Sequence, residues 1–161
     1  MEEAPMNSRV TARAYAVAAA AVVVAALAPL AAADAVYHSQ HLDLAPVGSA
    51  PLRSGFVENI KANGSQVYAH ELYILDGAVP GATYTVTRHF FFLDPECDGN
   101  LVFASDVAVL ETNAAGNARD DVFVTPEEAA GLQGVHGVTW TVQNAAGAVV
   151  YKTNCTAVTL D

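Results

Sequence analysis

The chain has 161 residues, 53% of them hydrophobic, and a formal net charge of −10. That length suits one domain of ordinary size, and the acidity speaks against nucleic acid and anionic membranes as partners, because both repel a negative surface. The apolar excess sits at one end. From Ala14 to Ala33 no residue is charged, Arg9 and Arg13 precede the stretch, and Ala33-Asp34-Ala35 follows it. A positive start, an apolar segment and a small-residue cut site predict a signal peptide over residues 1–35, its apolar part forming a signal helix. The Ala-rich content, Pro29 and Asp34 argue against a retained anchor, so membrane contact is expected only if this segment stays uncleaved. The product is expected to be secreted and extracellular. Cleavage after Ala35 leaves fourteen acids against five bases, a net charge of −9; cleavage after Ala33 is the alternative.

Residues 36–51 show no sustained period and read as a flexible arm or linker ahead of a domain over 52–161. Beyond them, period-two runs alternate with turn signals. Strands are expected over 55–62, 66–75 and 83–93. The segment from Asp94 to Asn100 reads as a loop, and short strands follow over 101–104, 106–112 and 120–124. Thr125-Pro126-Glu127-Glu128 is a capping box and predicts one short helical turn near 126–131. Strands over 135–143, 148–153 and 156–160 complete the chain. Val138, Trp140 and Val142 are expected on one face of the first of these, with Thr139, Thr141 and Gln143 on the other.

Seven or eight strands at this spacing predict an all-β antiparallel sandwich. The run Pro80-Gly81-Ala82-Thr83-Tyr84-Thr85-Val86 resembles the turn-and-strand signature of immunoglobulin-like and fibronectin type III-like modules. The resemblance implies that Tyr84 and Val86 face the core. It covers seven residues and speaks to fold, not activity. Trp140 lies far from Cys97, and no tyrosine stands two residues before Cys155, so an antibody-type disulfide is not expected. The chain as a whole resembles small exported bacterial proteins of unassigned function.

The two cysteines, Cys97 and Cys155, are expected to form a disulfide, as an even count in an exported chain favours. In the chain-entropy model a loop of this length contributes about 3–4 kcal/mol. A cut after Ala35 would create the start Val36-Tyr37-His38, whose amine, amides and imidazole can enclose Cu(II) or Ni(II) in a square plane, with His41 assisting. His70, His89 and His136 fall on three predicted strands that pairing could bring together around a metal. Asp94, Glu96, Asp98 and Asn100 carry oxygen at alternate positions like the opening of a calcium loop, but Ser105 stands where the bidentate Glu is required. Phe90, Phe91 and Phe92 must point alternately to both sheet faces, so at least one should face away from the core and offer a binding surface.

No nucleophile elbow or zinc-protease motif occurs, and no cofactor is expected. The residues favour an exported, non-catalytic module binding a protein or glycan partner. The alternatives are an exported metal-binding protein using the His38 arm or the strand histidines, and a small extracellular enzyme or enzyme inhibitor.

Overall fold

A computed structural model of the chain describes residues 37–62, 69–99 and 101–160. The signal segment, residues 66–68 of the expected second strand, and Asn100 lie outside the described residues. Among the described residues there are ten strands: β1 (Tyr37–Asp43), β2 (Ala45–Pro46), β3 (Ser54–Ala62), β4 (Ala69–Asp76), β5 (Thr83–Phe91), β6 (Phe103–Glu111), β7 (Ala118–Val124), β8 (Gly134–Asn144), β9 (Val149–Lys152) and β10 (Thr156–Leu160). They form two antiparallel sheets. The first has the order β1-β3-β4-β7 and the second β2-β9-β8-β5-β6. Strand β10 pairs with β8 over Gly134–Val138, on the same edge that β9 occupies further along.

Alternation explains the two sheets. Along β4 the side chains of Ala69, Glu71, Tyr73 and Leu75 are buried while the residues between them are half-exposed. On β5 the inward set includes Tyr84, Val86 and Phe90, and on β8 it is His136, Val138, Trp140 and Val142. A period of two is what a sheet with one covered face requires. Both inner faces contribute to one buried cluster, in which Val57, Tyr73 and Leu75 of the first sheet meet Val86, Trp140 and Val142 of the second. The arrangement is compatible with a β-sandwich. On one side the sheets are tied by Gln40 Nε2, which donates to the Ala157 carbonyl at 2.8 Å, and by Lys61 Nζ, which donates to that of Thr159 at 3.2 Å.

Two details differ from the sequence expectation. Residues 37–46, read as part of a flexible arm, form β1 and β2. Strand β1 pairs with β3 from Tyr37↔Ala62 to Asp43↔Phe56, and after the buried Leu44 the chain passes to the second sheet, where Ala45 and Pro46 pair with Lys152 and Tyr151. An edge strand with little covered surface needs no apolar alternation, so Tyr37-His38-Ser39-Gln40-His41 carries no periodic signal. The strands expected over 101–104 and 106–112 are one strand, β6, continuous through a bulge. Val86 faces Ala108 while Thr87 faces Asp106, so Val107 is the extra residue. Such an insertion interrupts the alternation without ending the strand. No helix is present among the described residues, but the capping box expected at Thr125–Glu128 forms and Ala129 N–H bonds the Thr125 carbonyl at 3.0 Å. Residues 126–131 run as successive turns, opened by the reciprocal bonds from Thr125 N–H to Glu128 Oε2 (2.8 Å) and from Glu128 N–H to Thr125 Oγ1 (3.3 Å).

Cys97, in the β5–β6 loop, and Cys155, between β9 and β10, form a disulfide with Cα atoms 6.1 Å apart. The bridge is compatible with an extracellular location. The loop presses on β8 at Gly137, where a Cβ would lie 2.7 Å from Cys97 Sγ and closer still to the Asp94 carbonyl oxygen. Only hydrogen fits there. Gly137→Ala is therefore expected to destabilise the fold by about 2–3 kcal/mol through overpacking, read as a lower urea midpoint at unchanged slope.

Candidate functional site

The charged pair at the centre of the molecule arises from the strand pattern. Glu71 occupies an inward position of β4 and Arg88 an inward position of β5, each flanked by apolar residues two places away. Glu71 is 3% exposed. Its Oε1 accepts from Arg88 Nη1 at 2.7 Å. Its Oε2 accepts from the indole Nε1–H of Trp140 at 3.1 Å and from the hydroxyl of Tyr73. Arg88 and Trp140 are direct register partners on β5 and β8, so two neighbours on one sheet grip a single carboxylate on the other. Burial, and then the Glu71 charge, push the Tyr73 phenol far above its ordinary value, which keeps it a donor.

Beside this network lies a cavity of about 380 Å³. Its walls come from both sheets and from the turns after β7: Phe90, Phe103, Val124, Leu132, Val138 and Trp140 are among them. Asn59 and Arg88 line it as well, and each holds a buried polar atom, Asn59 Oδ1 and Arg88 Nε, without a partner among the described residues. Asn59 is the register partner of Glu71 on β3, so both polar groups flank the same carboxylate. Buried polar atoms are nearly always paired, which makes these two informative. Sequence reasoning passed over Glu71, Arg88 and Asn59. The available signal was a polar or charged residue at an apolar-face position of a period-two run, with opposite charges on β4 and β5.

The residues singled out in the sequence are dispersed. His70 Nε2 meets Asp121 Oδ2 at 2.8 Å on the outer face of the first sheet. His89 Nε2 meets Thr141 Oγ1 at 2.9 Å on the second. His136 is fully buried: its Nδ1 accepts from the Leu93 N–H at 2.9 Å and its Nε2 lies 2.7 Å from the Leu132 carbonyl. The three imidazoles thus have separate partners. His38 lies in β1, in register with Lys61, and chelation through the Tyr37 and His38 amides would require that ladder to open. His41 sits against Phe56 and bonds Glu58 Oε2 at 3.0 Å. Asp94 Oδ2 accepts from the Gly99 N–H at 2.7 Å, within the loop that also carries Glu96 and Asp98. Among the described residues, no group of three or more His, Cys, Asp or Glu could hold a metal ion. Phe90 is buried and stacked on Phe103, Phe91 is half-buried, and Phe92 is 43% exposed.

No protein-family model matches the chain, and no curated protein or solved structure matches it significantly.

Two outcomes follow from these contacts. Arg88→Met leaves the Glu71 carboxylate buried without its cation and is expected to lower unfolding free energy by about 3–5 kcal/mol, measured by urea titration. Burial holds the His89 imidazole below its ordinary value of 6.5. The unfolded chain therefore takes up that proton first as pH falls. The His89 contribution is complete above the unfolded value and is lost as pH drops through the folded one. In His89→Gln, the decline in Tm between about pH 7 and pH 5 is expected to be shallower than in the unaltered chain.

Proposed function

We propose that the chain is an exported, non-catalytic module of the immunoglobulin-like or fibronectin type III-like kind, which binds a protein partner through the apolar end of its second sheet. One observation carries the binding assignment. Phe92, Leu93, Leu101, Val102, Phe103 and Val135 all stand exposed, Leu93 and Val102 each at 59%. They cluster at one end of that sheet. Phe92 lies against His136, Leu93 against Gly134, Val102 N–H bonds the Phe90 carbonyl, and Phe103 stacks on Phe90. A contiguous apolar patch of this kind marks an interaction surface. Four of the six side chains are aliphatic, which suits a protein surface better than the stacked rings and polar groups that hold a sugar.

The module assignment draws support from strand order. Strands β3-β4-β7 and β5-β8-β9 follow the A-B-E and C-F-G orders of an immunoglobulin-like sandwich, and β6 extends the second sheet beyond its C position. Tyr84 and Val86 face inward, as the resemblance implies. The disulfide and the signal pattern support export. The metal-binding and enzyme readings draw no comparable support from the geometry.

The test immobilises the purified chain and the Leu93→Asp/Val102→Asp variant, and probes both with the extracellular fraction of the producing cells and with a glycan array. A protein retained by the unaltered chain and reduced at least about tenfold on the variant is the expected result, since two buried carboxylates at an interface cost well over 1.4 kcal/mol. Retention unaffected by the variant, or binding of glycans alone, would overturn the assignment.

A further inference from the structure

The outer face of the first sheet is a different surface from the apolar end of the second. We infer that it is the interface of a symmetric dimer: a second copy of the chain packs on it face to face, related by a two-fold axis that runs parallel to the strands between β3 and β4.

The alternation of the two sheets differs on their outer faces. An antiparallel sheet with one solvated face turns polar side chains outward. The central strands of the second sheet follow that rule: their outward pairs are Thr85↔Gln143, Thr87↔Thr141 and His89↔Thr139, all polar. In the first sheet the outward pairs are Phe56↔Ile74, Glu58↔Leu72 and Ile60↔His70. Four of these six side chains are large and apolar, and each of the four is half-exposed. None of them belongs to the buried cluster between the sheets. A solvated face gains nothing from such residues, whereas a covered one is stabilised by them. Strands β1 and β7, of seven residues each, frame the face. Four strands about 4.8 Å apart and seven residues at about 3.4 Å span roughly 19 by 24 Å. Two such faces bury on the order of 1,000 Å², the size at which specific interfaces begin.

Charge selects a second copy as the occupant and fixes its placement. One row across the sheet runs Asp43, Phe56, Ile74, Arg119, and the next runs His41, Glu58, Leu72, Asp121. Opposite charges thus stand at the two ends of the first row. Asp43 is 92% exposed at its side chain, and Arg119 is exposed as well. A two-fold axis along the strands keeps each row at its own level while exchanging β1 with β7 and β3 with β4. Asp43 then stands opposite Arg119 of the second copy, Arg119 opposite its Asp43, and His41 opposite its Asp121. Phe56 meets Ile74 in the middle of the row. Glu58 meets Leu72, with its own oxygens occupied by Ser39 and His41 of the same copy. The other face-to-face two-fold runs across the strands. It sets Glu58 on Glu58 and Asp121 on Asp121, and like charges so opposed are repelled. Only the first axis gives an isologous, charge-matched contact, in the aligned manner in which sheets pack on sheets. The apolar middle supplies affinity and the charged rim sets orientation.

The experiment is sedimentation equilibrium of the purified full chain between about 1 and 200 μM, at about 0.15 M salt, where net-charge repulsion is screened beyond roughly 8 Å. The unaltered chain is expected to pass from one chain mass to two as concentration rises. Leu72→Lys, at a half-exposed outward position, should remain at one. Asp43→Arg and Arg119→Asp should each raise the dissociation constant at least about tenfold, because each sets like charges opposite one another at two symmetric places. The exchange variant Asp43→Arg/Arg119→Asp should return it to within about threefold of the unaltered value. Leu93→Asp/Val102→Asp, altered at the other apolar surface, should dimerise as the unaltered chain does. Urea midpoints establish that each variant folds, and if Leu72→Lys does not, the charge exchange decides. A single chain mass at every concentration, a dimer that persists in folded Leu72→Lys, an exchange that fails to restore association, or loss of the dimer in Leu93→Asp/Val102→Asp overturns the inference.

Discussion

The grip of three donors on the Glu71 carboxylate is the interaction on which the rest of the structure depends. A carboxylate in an apolar interior is tolerated only when its charge is matched and its lone pairs are occupied. Arg88, Trp140 and Tyr73 meet both conditions. Two of the three come from the opposite sheet, so the bonds form only at one relative placement of the two layers. Apolar contacts tolerate sliding, whereas directional bonds to one carboxylate do not. The buried pair thereby fixes how the sheets register face to face, and the aromatic and aliphatic side chains pack around that fixed point.

The same constraint creates the cavity. Holding Arg88 toward Glu71 withdraws its side chain from the space near β6 and β7, and Asn59 on the next strand is left with a buried polar atom that has no partner among the described residues. On the far side the layers are drawn together by Gln40 and Lys61, whose side chains reach carbonyls of β10. One side of the molecule is therefore stitched, and the other retains an opening.

Much of this fold is legible in the sequence, because covered strands alternate. The runs around Tyr73, Val86 and Trp140 declare both their state and their buried face, and the spacing of turns declares an all-β chain. The edges are less legible. Strand β1 has little covered surface to write a pattern with, and β6 is broken in the sequence by a bulge that leaves the strand intact. The site was the least legible part. His70, His89 and His136 attract notice by chemistry, yet each is held by a different partner. Glu71 and Arg88 are individually ordinary residues. Their meaning lies in the parity of their positions, and their encounter depends on which strands face across the core, which no local pattern specifies.

Strand order also bears on the sequence in which the molecule assembles. Every strand of the first sheet lies before residue 125, whereas β8, the central strand of the second, begins at Gly134. A chain emerging amino end first can complete one layer while the Trp140 donor has yet to arrive, leaving Glu71 open to water on an uncovered face. Cys97 emerges 58 residues ahead of its partner, and β2 must wait for β9 to pair at all. Closure therefore waits for the strands near the carboxyl end, and the disulfide is among the last links to form.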